Sequence, residues 1–206
     1  YQLLLVAVAV SLACLAGVLA VQRKLGQLAR TAPRDRAGAL LLGALNPFAY
    51  YLVLFAAYDR LPAQVAQPLN YTWALTLSWL AIPLLGQRPG RRVLLAGAVC
   101  YAGVFLIATG GTVAGFAAAD PAGVALALGS TVLWSLYWLA NARSRLDPVV
   151  GLWWNFAGAA PLCALATLLR SDLDLPARGL LAGAYVGAFE MGFTFVLWLA
   201  ALRLAP

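Results

Sequence analysis

The chain has 206 residues, of which 64% are hydrophobic and only 10% charged. Soluble domains are closer to half apolar and a quarter charged, so this composition excludes a water-soluble fold and points to an all-α polytopic transmembrane bundle. The formal net charge of +7 would suggest nucleic acid in a soluble protein, but these charges sit at the ends of apolar runs, where the bilayer surface is the partner.

About 20 helical residues cross the hydrocarbon, and seven runs approach or exceed that length: Leu3–Val21, Ala37–Tyr58, Leu61–Leu85, Val93–Thr109, Ala122–Ala142, Val149–Leu169 and Leu180–Leu202. They leave no room for a soluble domain, so function is expected between helices. Arg23, Lys24, Arg30, Arg34 and Arg36 follow the first run, Arg88, Arg91 and Arg92 the third, Arg143 and Arg145 the fifth, and Arg203 the seventh. Only Arg60, Arg170 and Arg178 fall on the other side, together with Asp59, Asp120, Asp172 and Asp174. The positive-inside bias makes the arginine-rich side cytoplasmic. With one Lys against many Arg, the composition suggests a GC-rich bacterial genome and hence a multi-pass protein of the bacterial inner membrane.

The first run lacks a basic n-region and a small-residue cleavage site, so it reads as a true span rather than a signal peptide. Span two contains Asn46-Pro47, with Gly43 and Tyr50 on the Asn46 face. Pro47 cannot donate to the carbonyl of Gly43, which predicts a kink. Span three carries Gln64, Gln67, Tyr71 and Ser78 within about 60° of one another on a helical wheel, with Asn70 roughly 60° further round. Trp73 falls opposite, as a packing or lipid-facing residue. Pro68 predicts a second kink beside the glutamines. Inter-helix hydrogen bonding competes with solute binding as the reason for such a stripe.

Span four, with Gly97, Tyr101 and Gly103, carries small-residue packing. Span five aligns Gly123, Ala127, Ser130, Trp134, Tyr137 and Asn141 on one face, a wall suited to an apolar or ring-bearing solute. Tyr137 and Asn141 approach the interface, where an aromatic belt is the ordinary explanation. Trp153, Trp154 and Asn155 in span six also read as belt, and Pro161 predicts a kink there. Glu190 is the one acid within a run, close to the middle of span seven. A carboxyl at that depth costs a few kcal/mol and is a functional hypothesis by default, either a proton-coupling group or a partner for a substrate amine. A structural hydrogen bond from the protonated acid is the alternative.

Cys14, Cys100 and Cys163 lie within apolar runs and read as small hydrophobes. There is no histidine, which removes imidazole-based triads and zinc sites. Neither a metal nor a cofactor is implied, and no phosphate-binding GxxxxGK[ST] run is present.

Val53-Leu54-Phe55, Ala57, Arg60 and Leu61 align with Val196-Leu197-Trp198, Ala200, Arg203 and Leu204. The stretches 12–23 and 161–170 are also alike. Spans one and two would then correspond to spans six and seven, giving a five-span unit that inverts between copies. Inverted repeats are a transporter signature, with substrate near the midplane.

The stretch from Ala56 through Leu61-Pro62-Ala63 and Leu84-Leu85-Gly86 to Gly110-Gly111 resembles the third-to-fifth-span region of EamA-type drug/metabolite transporters. The runs 123–146 and 179–206 are similar to their sixth and eighth spans. Asn70-Tyr71-Thr72-Trp73 resembles the aromatic amino-acid exporter branch. Gln87 stands where an acid is usual, and Ala74 where proline often follows Trp. The resemblance implies spans two to eight of ten, with residues 1–114 covering spans two to five and 115–206 an incomplete second repeat. It implies a secondary transporter exporting small metabolites, amino acids among them, by alternating access, as a monomer or homodimer. Asn46, Gln64, Gln67, Asn70, Tyr71, Trp134, Tyr137 and Glu190 are the expected substrate contacts. An intramembrane enzyme would need a nucleophile–base pair that the spans lack. A seven-helix receptor or assembly subunit is the remaining alternative.

Overall fold

The computed structural model describes residues 1–86, 89–109, 111–112, 120–172 and 176–204. Gln87, Arg88, Gly110, Asp174 and the expected division between residues 114 and 115 lie outside these. Among the described residues the chain is helical and contains no strand.

Helix α1 spans Gln2–Val21, α2 Leu25–Arg30 and α3 Pro33–Gly43. A kinked segment, Ala44–Ala49, interrupted at Asn46, leads into α4, Tyr50–Tyr58. Then follow α5 Ala63–Tyr71, α6 Trp73–Leu85, α7 Arg91–Ala108, α8 Pro121–Arg143 and α9 Pro148–Arg170. Helix α10, Ala177–Tyr185, passes through a π segment, Val186–Phe193, into α11, Thr194–Leu204.

Five described helical stretches are long and apolar enough to cross a membrane: Gln2–Val21, Pro33–Tyr58, Pro121–Arg143, Pro148–Arg170 and Ala177–Leu202. The other two expected spans are helical as well. Leu61–Leu85 forms α5 and α6, which meet at Thr72, and Val93–Thr109 falls on α7. The chain is thus a polytopic helical bundle. Packing groups it into two compact units, Tyr1–Ala49 with Ala140–Pro206, and Tyr50–Leu139.

In the first unit α1 is apolar all round, as expected of a helix meeting both protein and lipid. Leu4, Val8, Ser11, Leu15 and Leu19 recur every three to four residues and are buried. That stripe packs on α9, α10 and the π segment. Close approach there depends on Gly187, where a methyl group would lie 2.4 Å from the Ala7 carbonyl oxygen. The Ser11 hydroxyl bridges the gap, at 2.8 Å from the carbonyls of both Ala7 and Gly187. Small residues and hydroxyls are the usual means of joining helices where lipid removes the hydrophobic drive.

Helices α3 and α9 meet in the same way, with two glycines in reciprocal contact. A methyl at Gly43 would stand 1.9 Å from the Asn155 carbonyl oxygen, and one at Gly158 2.2 Å from that of Leu40.

Helix α1 ends on Arg23, which adopts a left-handed φ of 57°. The Lys24 amide reaches back 2.8 Å to the Leu19 carbonyl, the six-to-one bond of a Schellman stop. Lys24 then pairs with Asp147 at 2.6 Å. The same carboxylate accepts from the amides of Val149 and Val150 and so caps α9, with Pro148 at the first helical position. An acid at Ncap and proline at N1 each suit a helix start, because the first amides have no partner within the helix.

The expected kink at Pro47 is a full interruption. Asn46 takes φ −149° and ψ 128°, the extended conformation a residue before proline prefers. Pro161, in contrast, sits inside a helix that runs unbroken from Pro148 to Arg170.

In the second unit, Ala57, Leu61, Ala66, Leu69 and Ala127 form a small core. The helix containing Pro68 continues through the proline and breaks one turn later. Thr72 ends it with its hydroxyl on the Leu69 carbonyl at 2.7 Å. At the edge of this unit Arg60 pairs with Asp120 at 3.1 Å, and Asp120 also accepts from the Ala122 amide at 3.0 Å. The Arg60 hydrogen bond, aided by that amide, holds the Asp120 carboxyl below the ordinary carboxylate range.

Candidate functional site

In the second unit α5 and α8 are joined by a buried polar pin. Asn70 is 5% exposed and its side-chain amide donates to the Ser130 hydroxyl at 2.9 Å. Ser130 in turn donates to the Ala127 carbonyl at 2.6 Å. The Tyr50 hydroxyl lies 3.3 to 3.4 Å from the Asn70 amide. Above this pin the Tyr50 and Trp134 rings pack at 4.5 Å between centroids, with Trp73 and Trp138 at 6.0 and 5.6 Å from Trp134. Trp73, expected to pack or to face lipid, meets Trp134, while its carbonyl accepts from Ser135 at 3.1 Å. Tyr137 is fully buried and stacks edgewise on Trp138.

Gln64, Gln67 and Ser78 are exposed, and Tyr71 is 63% exposed. The expected wheel therefore separates by environment: the face carrying Gln64, Gln67, Tyr71 and Ser78 looks outward, and Asn70 looks inward. Gln67 accepts a hydrogen bond from Tyr58.

In the first unit Asn46 is fully buried, and neither its side-chain nitrogen nor its oxygen has a hydrogen-bond partner among the described residues. A buried amide left this way costs roughly 1–3 kcal/mol per group. Glu190 lies in the π segment and is exposed on this unit. One turn on, Thr194 donates both its backbone amide and, at 2.6 Å, its hydroxyl to the Phe189 carbonyl, five residues back as the wide turn requires.

A cavity of about 640 Å³ also opens in the first unit, between the start of α3, the end of α8 and the start of α9. Arg34, Asp35, Arg143, Ser144 and Arg145 line its polar wall, Ala39 and Leu42 its apolar side. Asn141 and Asn155 also line it, buried and joined at 2.9 Å. The arginines read as interfacial charge in the sequence, and Asn155 as belt. The available signal was that Asn141 and Asn155 end and begin consecutive helices, which brings them to one depth. Among the described residues no group of His, Cys, Asp and Glu side chains could hold a metal ion.

No curated protein and no solved structure is similar enough to the chain to count as a match. The pattern of the EamA-like transporter family matches residues 1–109 and 121–206. That covers nearly the whole sequence in two stretches, and members of this family are transporters rather than enzymes. With a multi-pass helical fold, polar side chains carried on apolar helices and this match, the chain belongs to the EamA-like transporter family of the drug/metabolite transporter superfamily.

Proposed function

We propose that the protein exports small amphiphilic metabolites, with amino acids the leading class, across the bacterial inner membrane by alternating access between inverted five-span repeats. Glu190 is the proton-coupling group in this reading. Gln64, Gln67, Tyr71 and Trp134 contact the solute, and Asn46, Asn70 and Tyr137 support the walls.

The observation that carries the reading is the exposure of Glu190 on a π-helical turn inside an apolar helical stretch. A carboxyl held at that depth without burial in its own unit requires water or another polar group beside it, because contact with acyl chains is costly. π turns recur at functional positions, where they redirect a side chain at the expense of regular hydrogen bonding. The polar face of Gln64, Gln67 and Tyr71, exposed beside the Pro68 helix, supports the same reading. Of these residues Trp134 is half-buried within its aromatic cluster, which leaves one part of the ring for a solute.

Counterflow in proteoliposomes loaded with individual amino acids tests this function. Accelerated uptake of labelled solute with at least one amino acid is expected. Uptake equal to that of empty liposomes across the whole panel would remove amino-acid export.

A further inference from the structure

We infer that the cavity walled by Arg34, Arg143 and Arg145 is a binding site for a phosphate ester. It shares no residue with the proposed transport contacts, so the two readings stand or fall separately.

The three arginines come from different places: the first turn of α3, the last turn of α8 and the following loop. Among the described residues none of them is in an ion pair. Asp147, in the same loop as Arg145, is engaged by Lys24 and by the start of α9. Asp35 lines the cavity as the single acid against three guanidinium groups, so the wall keeps an excess of positive charge. Scattered interfacial arginines would be explained by the positive-inside bias alone. Here they surround one volume, whose polar lining continues inward to the buried Asn141–Asn155 pair.

Guanidinium forks recognise oxyanions two hydrogen bonds at a time. A carboxylate offers one charge on two oxygens, whereas a phosphate ester presents three non-bridging oxygens and up to two charges, the closer match to three guanidinium groups. At about 640 Å³ the space is too large for an inorganic ion alone. Ala39 and Leu42 give the organic remainder an apolar surface. A soluble phosphate monoester and the headgroup of an anionic phospholipid share this chemistry.

The test follows thermal unfolding of the full chain in neutral detergent. Glycerol 3-phosphate is titrated in one arm, with sodium chloride at matched ionic strength as reference. Short-chain phosphatidylglycerol is titrated in the other, against phosphatidylcholine. A saturable rise in melting temperature with glycerol 3-phosphate assigns a soluble ester, and a rise with phosphatidylglycerol alone assigns a lipid headgroup. In either case Arg143→Gln with Arg145→Gln should weaken the apparent affinity about tenfold or more, the scale of losing a charged hydrogen bond. Arg178→Gln, outside the cavity, should leave it unchanged. If the double variant does not fold, Arg143→Lys, which keeps the charge and removes the fork, should still weaken binding. No rise beyond the chloride and phosphatidylcholine references, or equal affinity in the cavity variants, overturns the site.

Discussion

Asn70 and Ser130 face each other at 2.9 Å inside the second unit, and this bond ties the proline-containing helix α5 to α8. The donor sits only three residues from Gln67, which points outward. Replacing Asn70 by Ala should destabilise the protein by about 0.5–2 kcal/mol, the range for hydrogen bonds between membrane helices. A double-mutant cycle with Ser130→Ala, followed by unfolding in mixed micelles, should return a positive coupling energy. Additive losses would show that the bond contributes nothing.

Gly187 predicts a steric limit. Since a methyl there would meet the Ala7 carbonyl oxygen at 2.4 Å, Gly187→Ala should force α1 away from the π segment and break the Ser11 bridge. Overpacking of this kind costs typically 1–3 kcal/mol. The melting temperature of Gly187→Ala should therefore fall, and by more than that of Gly17→Ala, where the space is open.

Asp147 has two tasks, capping α9 and pairing with Lys24. Asp147→Ala should cost about 0.5–2 kcal/mol through the cap alone. Lys24→Gln leaves the cap intact and should cost less. Chemical denaturation of both variants checks the order.

The lowered pKa of Asp120 has a defined consequence for stability. A carboxyl whose folded-state value lies below its ordinary 3.8 contributes stability that is fully present above that value. The contribution is lost as pH falls through the lowered value. Arg60→Gln removes the first cause of the shift, so its stability relative to the parent should be pH-independent above pH 5 and converge on the parent in strong acid. Unfolding measured from pH 2 to 7 checks this.

Much of the fold was legible because bilayer physics acts on composition. The apolar runs at Leu3–Val21 and Val149–Leu169 became α1 and α9 almost residue for residue. The break at Asn46 followed from Pro47, whose missing N–H and bulk act locally. The split between Gln67, exposed, and Asn70, buried, was not legible, because the wheel groups both as solute contacts and does not say which edge a neighbouring helix covers. The π turn at Val186–Phe193 was not legible, since one extra residue per turn leaves no mark on apolar spacing. Nor was the breakage at Thr72 rather than Pro68. The Asn141–Asn155 pair and the arginine cavity arise when α3, α8 and α9 assemble. Each of those residues alone has an ordinary interfacial explanation.

The most direct test of proton coupling is the pH dependence of solute exchange in proteoliposomes, compared between the parent and Glu190→Gln. The parent's exchange rate should change with pH, and the variant should give a flat profile because its amide cannot titrate. A variant with full activity and the parent's own pH profile would contradict the role assigned to Glu190.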